Sequence, residues 1–202
     1  SGDMSLVTGT ASGGNSGGIL LSSGQSSGGK GGGLKISVGD GDSAAGGSVV
    51  ISAGKSTSLE GGALVLDGGM STMSDGGDAT LAGGNTLSPS PERVGGKVNV
   101  RGGTAAVATG GHLHLVSGVG AETSSGNVRL ESAHSGPAGQ SGTVAIITGT
   151  SADRSGTLTM ASGSSSSGRG GDVFIGVGDG SSSAGGGVTV VAGRASSGRV
   201  FG

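Results

Sequence analysis

Two aliphatic positions recur along this chain at a spacing of fifteen residues, and the residue between them varies freely. Aligned on a glycine pair, the rows begin near residues 1, 16, 31, 46, 61, 76, 95, 110, 125, 141, 155, 170 and 185, which makes thirteen repeats in a single array over 1–202. Position four of the row holds Met4, Ile19, Leu34, Val49, Leu64, Leu113 and their equivalents, and position six holds Leu6, Leu21, Ile36, Ile51, Leu66 and Leu115. Between them, position five runs through Ser5, Lys35, Val50, Asn99, His114 and Arg129. An apolar, variable, apolar triplet has period two, so each row predicts one strand with positions four and six turned inward. The expected core is therefore Ile19, Leu21, Leu34, Ile36, Val49, Ile51, Leu64, Leu66, Leu113 and Leu115.

Small residues complete the row. Position two is glycine throughout (Gly2, Gly17, Gly32, Gly47 onward), and position nine is glycine in twelve of thirteen rows, Ala133 being the exception. A glycine at a strand end predicts a bend with positive φ or a close backbone approach. Position eleven is always small, from Ala11, Ser26 and Gly41 to Ser56 and Ser71, although its neighbours vary. That restriction predicts a second wall pressed against the aliphatic one. The fold expected from these features is all-β: a β-solenoid (parallel β-helix) of thirteen coils of about fifteen residues with a flat two-layer cross-section, since short-period arrays bury a face by stacking on their neighbours. Coils about 4.8 Å apart would give a body roughly 60 Å long. An antiparallel meander is the competing arrangement. It needs loops longer than the usual two to five residues of hairpins, and it leaves position eleven unexplained.

Composition changes the picture in one respect. With 52 glycines in 202 residues, two phenylalanines and no cysteine or tryptophan, the chain departs from ordinary globular usage and resembles disordered composition. The apolar pair in every row argues against disorder. A net charge of −2 without a basic stripe disfavours nucleic acid as a partner. No apolar run reaches the roughly 18 residues of a membrane span. The lack of cysteine excludes disulfides and thiolate metal sites and fits an extracellular or a reducing compartment. Asn15, Asn85, Asn99 and Asn127 all lack the hydroxyl residue of an N-linked sequon, whereas the serine and threonine turns remain open to O-linked sugar.

The largest irregularity is an inserted loop at 85–94, Asn-Thr-Leu-Ser-Pro-Ser-Pro-Glu-Arg-Val, four residues over the period. Lying on the corner side, it should bulge outward as a tolerated insertion, with docking or modification as the functional reading. Rows nine and ten slip by one residue in opposite senses. A partial coil, 197–202, restarts the pattern early and stops within the expected strand, and neither terminus shows a polar capping row. These ends predict either a piece of a longer array or a subunit that adds head to tail through open ladders. The expected assembly contacts are Gly2, Met4, Leu6, Val200 and Phe201 at the ends, and Val50, Val65, Ile147 and Phe174 on the outward face.

Candidate chemistry is sparse, and no catalytic, cofactor or metal residue is assigned. His112 and His114 share a face at a metal-compatible spacing but lack a third ligand beside them, so a solvated pair is the better reading. Gly39-Asp40-Gly41-Asp42 and Gly178-Asp179-Gly180 faintly resemble calcium turns of glycine-rich β-rolls, without the nine-residue period that family needs. Lys35, Arg101, Arg129 and Glu131 are too scattered for a β-helix lyase site, so an enzyme is not expected. Ice binding requires regular threonine ranks, and here the ranks mix Lys, Asp, Val, Arg and His.

Rows such as Gly46-Gly-Ser-Val-Val-Ile-Ser-Ala-Gly-Lys-Ser56 and Ser155-Gly-Thr-Leu-Thr-Met-Ala-Ser-Gly163 resemble the Gly/Ser-rich tandem arrays predicted in secreted structural and adhesive proteins of microalgae and their relatives, and more loosely bacterial adhesin solenoids. The resemblance implies an extracellular fibre and transfers no functional residue. The expected function is a structural protein that assembles with itself, end to end and laterally, into an extracellular filament or surface appendage. Glycans are the second partner considered. The alternative is a binding module for ice or polysaccharide that uses one flat face.

Overall fold

A computed structural model of the chain describes residues 2–181 and 184–194. Among the described residues there is no helix and no strand, and the backbone is irregular coil punctuated by regularly spaced bends. This overturns the all-β solenoid. Ile51 and Leu66, expected inside, are 62% and 74% exposed, and no side chain among the described residues is buried. Ile19, Leu21, Leu34, Ile36, Val49, Leu64, Leu113 and Leu115 all face water as well. The chain exposes 20286 Å², whereas a compact protein of 18.4 kDa would expose about 8,000 Å² and its unfolded chain about 27,000 Å². The partial coil 197–202, with Val200 and Phe201, lies outside the described residues.

The chain divides into two units, Ser1–Arg101 and Gly102–Gly202. Each is built from the same element. In the first unit the backbone bends at 12–14, 27–29, 42–44, 57–59 and 72–74, which is positions twelve to fourteen of rows one to five, and row six turns at 91–92 within its insertion. The second unit bends at the same positions, 106–108 and 121–123 among them. The chain thus reverses in the middle of the segment expected to form the second wall, and returns to the position it left.

Where the reversal closes fully, the amide of the position-two glycine donates to the carbonyl of the preceding position-nine glycine. In the first unit Gly62 N–H reaches Gly54 O at 2.9 Å, Gly77 reaches Gly69 at 2.8 Å, and Gly96 reaches Gly84 at 2.8 Å. In the second, Gly111 reaches Gly103 at 2.8 Å and Gly126 reaches Gly118 at 2.9 Å. A flat coil would instead hold these two positions a whole strand length apart, at roughly 3.3 Å per residue. The seven-residue reversal that counted against a meander is the one the chain adopts. It stops at a single backbone bond and leads into no ladder.

The closure explains the glycines differently from a left-handed bend. Among the described residues Gly14, at φ 87°, is the sole residue with positive φ, and it lies at a bend, not at position nine. A Cβ on Gly77 would stand 3.2 Å from Gly69 N, and one on Gly96 would stand 2.7 Å from Gly84 N, so position two is glycine because the returning chain passes too close for a side chain. A Cβ on Gly54 or Gly69 meets nothing within 4 Å. Position nine tolerates a methyl group, as Ala133 shows by occupying it.

The residue at position eight bears on how a row closes without deciding it alone, since Ser23 and Ser117 go with different closures. With Ala53, Gly68, Gly83, Gly102 or Ser117 there, the backbone bond forms. Thr8 and Ser23 close their rows by their own hydroxyls instead, donating to Gly17 O at 3.1 Å and Gly32 O at 2.8 Å. Val38 and Val177 place Cγ1 where a Cβ of the returning Gly47 or Gly186 would stand, at 2.6 and 2.7 Å. The branched side chain thus occupies the space that the returning glycine needs.

Two substitutions in one row test this account. Gly77→Ala should abolish the bond to Gly69 and raise amide exchange at residue 77 by about threefold to tenfold, the worth of one exposed hydrogen bond. Gly69→Ala should leave that exchange unchanged. Equal effects of the two would contradict the assignment, with amide exchange followed by NMR as the measurement.

Candidate functional site

Of the residues singled out for assembly, Met4, Leu6, Val50, Val65, Ile147 and Phe174 lie on the segments between reversals, positions three to eight, and Val200 and Phe201 lie outside the described residues. These segments are short, extended and rich in aliphatics. Alternation survives in them as a gradient of exposure: Val49 and Ile51 are 54% and 62% exposed, whereas Val50 between them is 84% exposed. Period two is a property of a locally extended backbone and needs no neighbouring strand. Covering the inward pair does need one, and none is present among the described residues.

Val50, Val65, Ile147 and Phe174 are all exposed. So are Met4 and Leu6, with Gly2 beside them. The structure does not divide these residues from the expected core, because both sets are open to water. The apolar surface open to water is consequently broader than the outward positions alone, taking in both sides of each segment. The ring of Phe174 folds back over Gly176, where any Cβ would strike it.

Position eleven has a role that its size alone did not disclose. Ser56 Oγ accepts from Leu59 N–H at 2.9 Å, Ser71 Oγ from Ser74 N–H at 2.9 Å, and Ser165 Oγ from Gly168 N–H at 2.9 Å. Thr86 and Ser151 accept from the residue two places on, at 3.3 and 3.2 Å. These are local hydroxyl turns, in which a side chain takes the place of a backbone acceptor and tips the chain into its bend. At Gly120 the turn needs glycine, since a Cβ there would run into Ser124 O, whereas at Gly41 a Cβ would make only ordinary contact with Ala44 O at 3.4 Å. Small side chains there reflect the turn itself, and no opposing wall is involved. The recurrence of Ser or Thr at one fixed offset from the glycine pair was the signal available in the sequence.

The charged groups make local pairs. Arg169 Nη2 donates to Asp172 Oδ1 at 2.7 Å and Oδ2 at 3.0 Å, and Arg129 pairs with Glu131 across positions five and seven of row nine. Both pairs are well exposed, where such contacts contribute about 0–1 kcal/mol. Among the described residues no three of His, Cys, Asp or Glu gather as a metal site, His112 and His114 included. In the Asp40–Asp42 turn, Ser43 Oγ donates to Asp42 Oδ1 at 3.0 Å.

Ser71→Ala should free the Ser74 amide and loosen the bend at 72–74, with the Gly77 closure weakened as a consequence. Increased amide exchange at both residues would support a turn-forming role for the hydroxyl; unchanged exchange at Ser74 would refute it. Known protein families, curated proteins and solved structures gave no match to the chain.

Proposed function

We propose that this chain is a structural repeat protein of the extracellular space whose copies associate through their open aliphatic positions into a filament or surface appendage. The observation that carries this reading is the regular uncovering of the apolar pair in row after row, from Ile19 and Leu21 to Val173 and Ile175. Exposed apolar surface of this extent marks an interaction surface. A second copy is the fitting cover, because it brings the same aliphatics at the same spacing and glycines that let backbones approach closely. Association is lateral. Continuation of an open ladder from one chain end to the next has no ladder to extend among the described residues.

Fully covering a valine or leucine contributes about 1.5–3 kcal/mol, so a few rows engaged at once would hold two chains together. The combined change Val50→Asp and Val65→Asp should therefore weaken association at least about tenfold, while the Gly62 to Gly54 closure, made by backbone alone, persists. Sedimentation over a dilution series, with electron micrographs of the concentrated sample, measures the association, and amide exchange at Gly62 measures the closure. Monomers at every concentration would overturn the reading. Dispersed chains that retain polysaccharide or depress freezing would instead favour the binding module.

A further inference from the structure

The inserted loop of row six carries a second kind of chemistry. Its ends are held by the same backbone bond that closes four other rows, with Gly96 N–H on Gly84 O at 2.8 Å, so the extra residues lie within a closure that keeps its length. Within the loop, Ser88 N–H is bound by Thr86 Oγ1 and Ser90 N–H by Ser88 Oγ, both at 3.3 Å, and Arg93 N–H turns back to Ser90 O at 3.2 Å. Ser88 and Ser90 each precede a proline, which excludes the helical region and holds both residues extended. Ser88 is exposed and Ser90 half-buried.

We propose that Ser88 is an acceptor for O-linked glycosylation. Proline-flanked serine on an exposed, extended segment is the composition of O-glycosylated stalks. The serines at position eleven differ: Ser56 and Ser71 stand immediately before bends and accept the third amide onward at 2.9 Å. Ser23 and Thr8 differ in another way, since their hydroxyl protons are already donated to Gly32 and Gly17. Ser88 Oγ acts in its loop as an acceptor, and its proton is free to leave. A glycosyltransferase would supply the sugar from a nucleoside diphosphate donor. The anomeric carbon forms a bond to Ser88 Oγ and its bond to the donor's phosphate oxygen breaks; the hydroxyl proton passes to a base of the transferase, and the nucleoside diphosphate leaves. The resulting ether oxygen keeps a lone pair for Ser90 N–H, so the loop conformation survives the modification.

The proposal rests on the extracellular compartment of the function proposed above, and the two are separable by experiment. Fragment mass spectrometry of the full chain from its native source should place a hexose or N-acetylhexosamine on the 85–94 segment. Ser88→Ala should abolish it, and Ser90→Ala should leave it. A bare loop, a phosphate in place of sugar, or sugar spread equally over Ser56, Ser71 and Ser165 would overturn the assignment. Sedimentation of the same chain made sugar-free in the bacterial cytosol reports on association alone. Monomers there would overturn the structural reading and leave the sugar map standing.

Discussion

A single backbone bond, from the amide of one glycine to the carbonyl of another eight residues before it, or twelve across the inserted loop, organises each row of this chain that closes through backbone. Gly77 to Gly69 is the plainest case, because its neighbours show what the bond demands. The returning strand of backbone passes so near the outgoing one that neither Gly68 nor Gly77 has room for a Cβ. Ser71 then bends the chain between them by accepting the Ser74 amide. Glycine at two and a small residue at eight are therefore one constraint seen at two places, to which a hydroxyl at eleven adds a turn in some rows.

That constraint is local, and its energetic worth is small. One exposed hydrogen bond contributes about 0.5–1.5 kcal/mol, which is comparable to the loop-closure entropy of so short a segment, about 2 kcal/mol. Nothing then remains to draw successive rows together. Two aliphatics among fifteen residues cannot shield one another without a facing layer, and the segment expected to provide that layer is consumed by the reversal. Open aliphatics are the direct result of spending positions ten to one on a turn. They are also what makes association with other copies the natural reading of the chain.

Glycine content works on both sides of this balance. It lets the returning backbone approach at Gly62, Gly96 and Gly111, and it raises the conformational entropy that any further ordering must overcome. Where a larger side chain intrudes, as Val38 does against Gly47, the backbone bond is absent and the valine covers the glycine instead. The insertion at 85–94 shows the tolerance of the arrangement in the other direction, since four extra residues lengthen the reversal while the Gly96 to Gly84 bond keeps its length.

Much of the local structure was legible from residue order. The fifteen-residue spacing and the special status of positions two and eleven follow from which side chains fit, because steric fit at a turn involves residues close together in the chain. The alternation at Val49, Val50 and Ile51 was legible too, as it belongs to extended backbone. What covers the aliphatic pair was not. Burial of Ile51 or Leu66 depends on a distant segment lying against them, and a period-two pattern has the same appearance whether that segment is a stacked coil, a second chain or water. Only the tertiary structure decided it: the chain turns back at positions twelve to fourteen, the wall that would have faced Ile51 is never built, and its side chain stays in solvent.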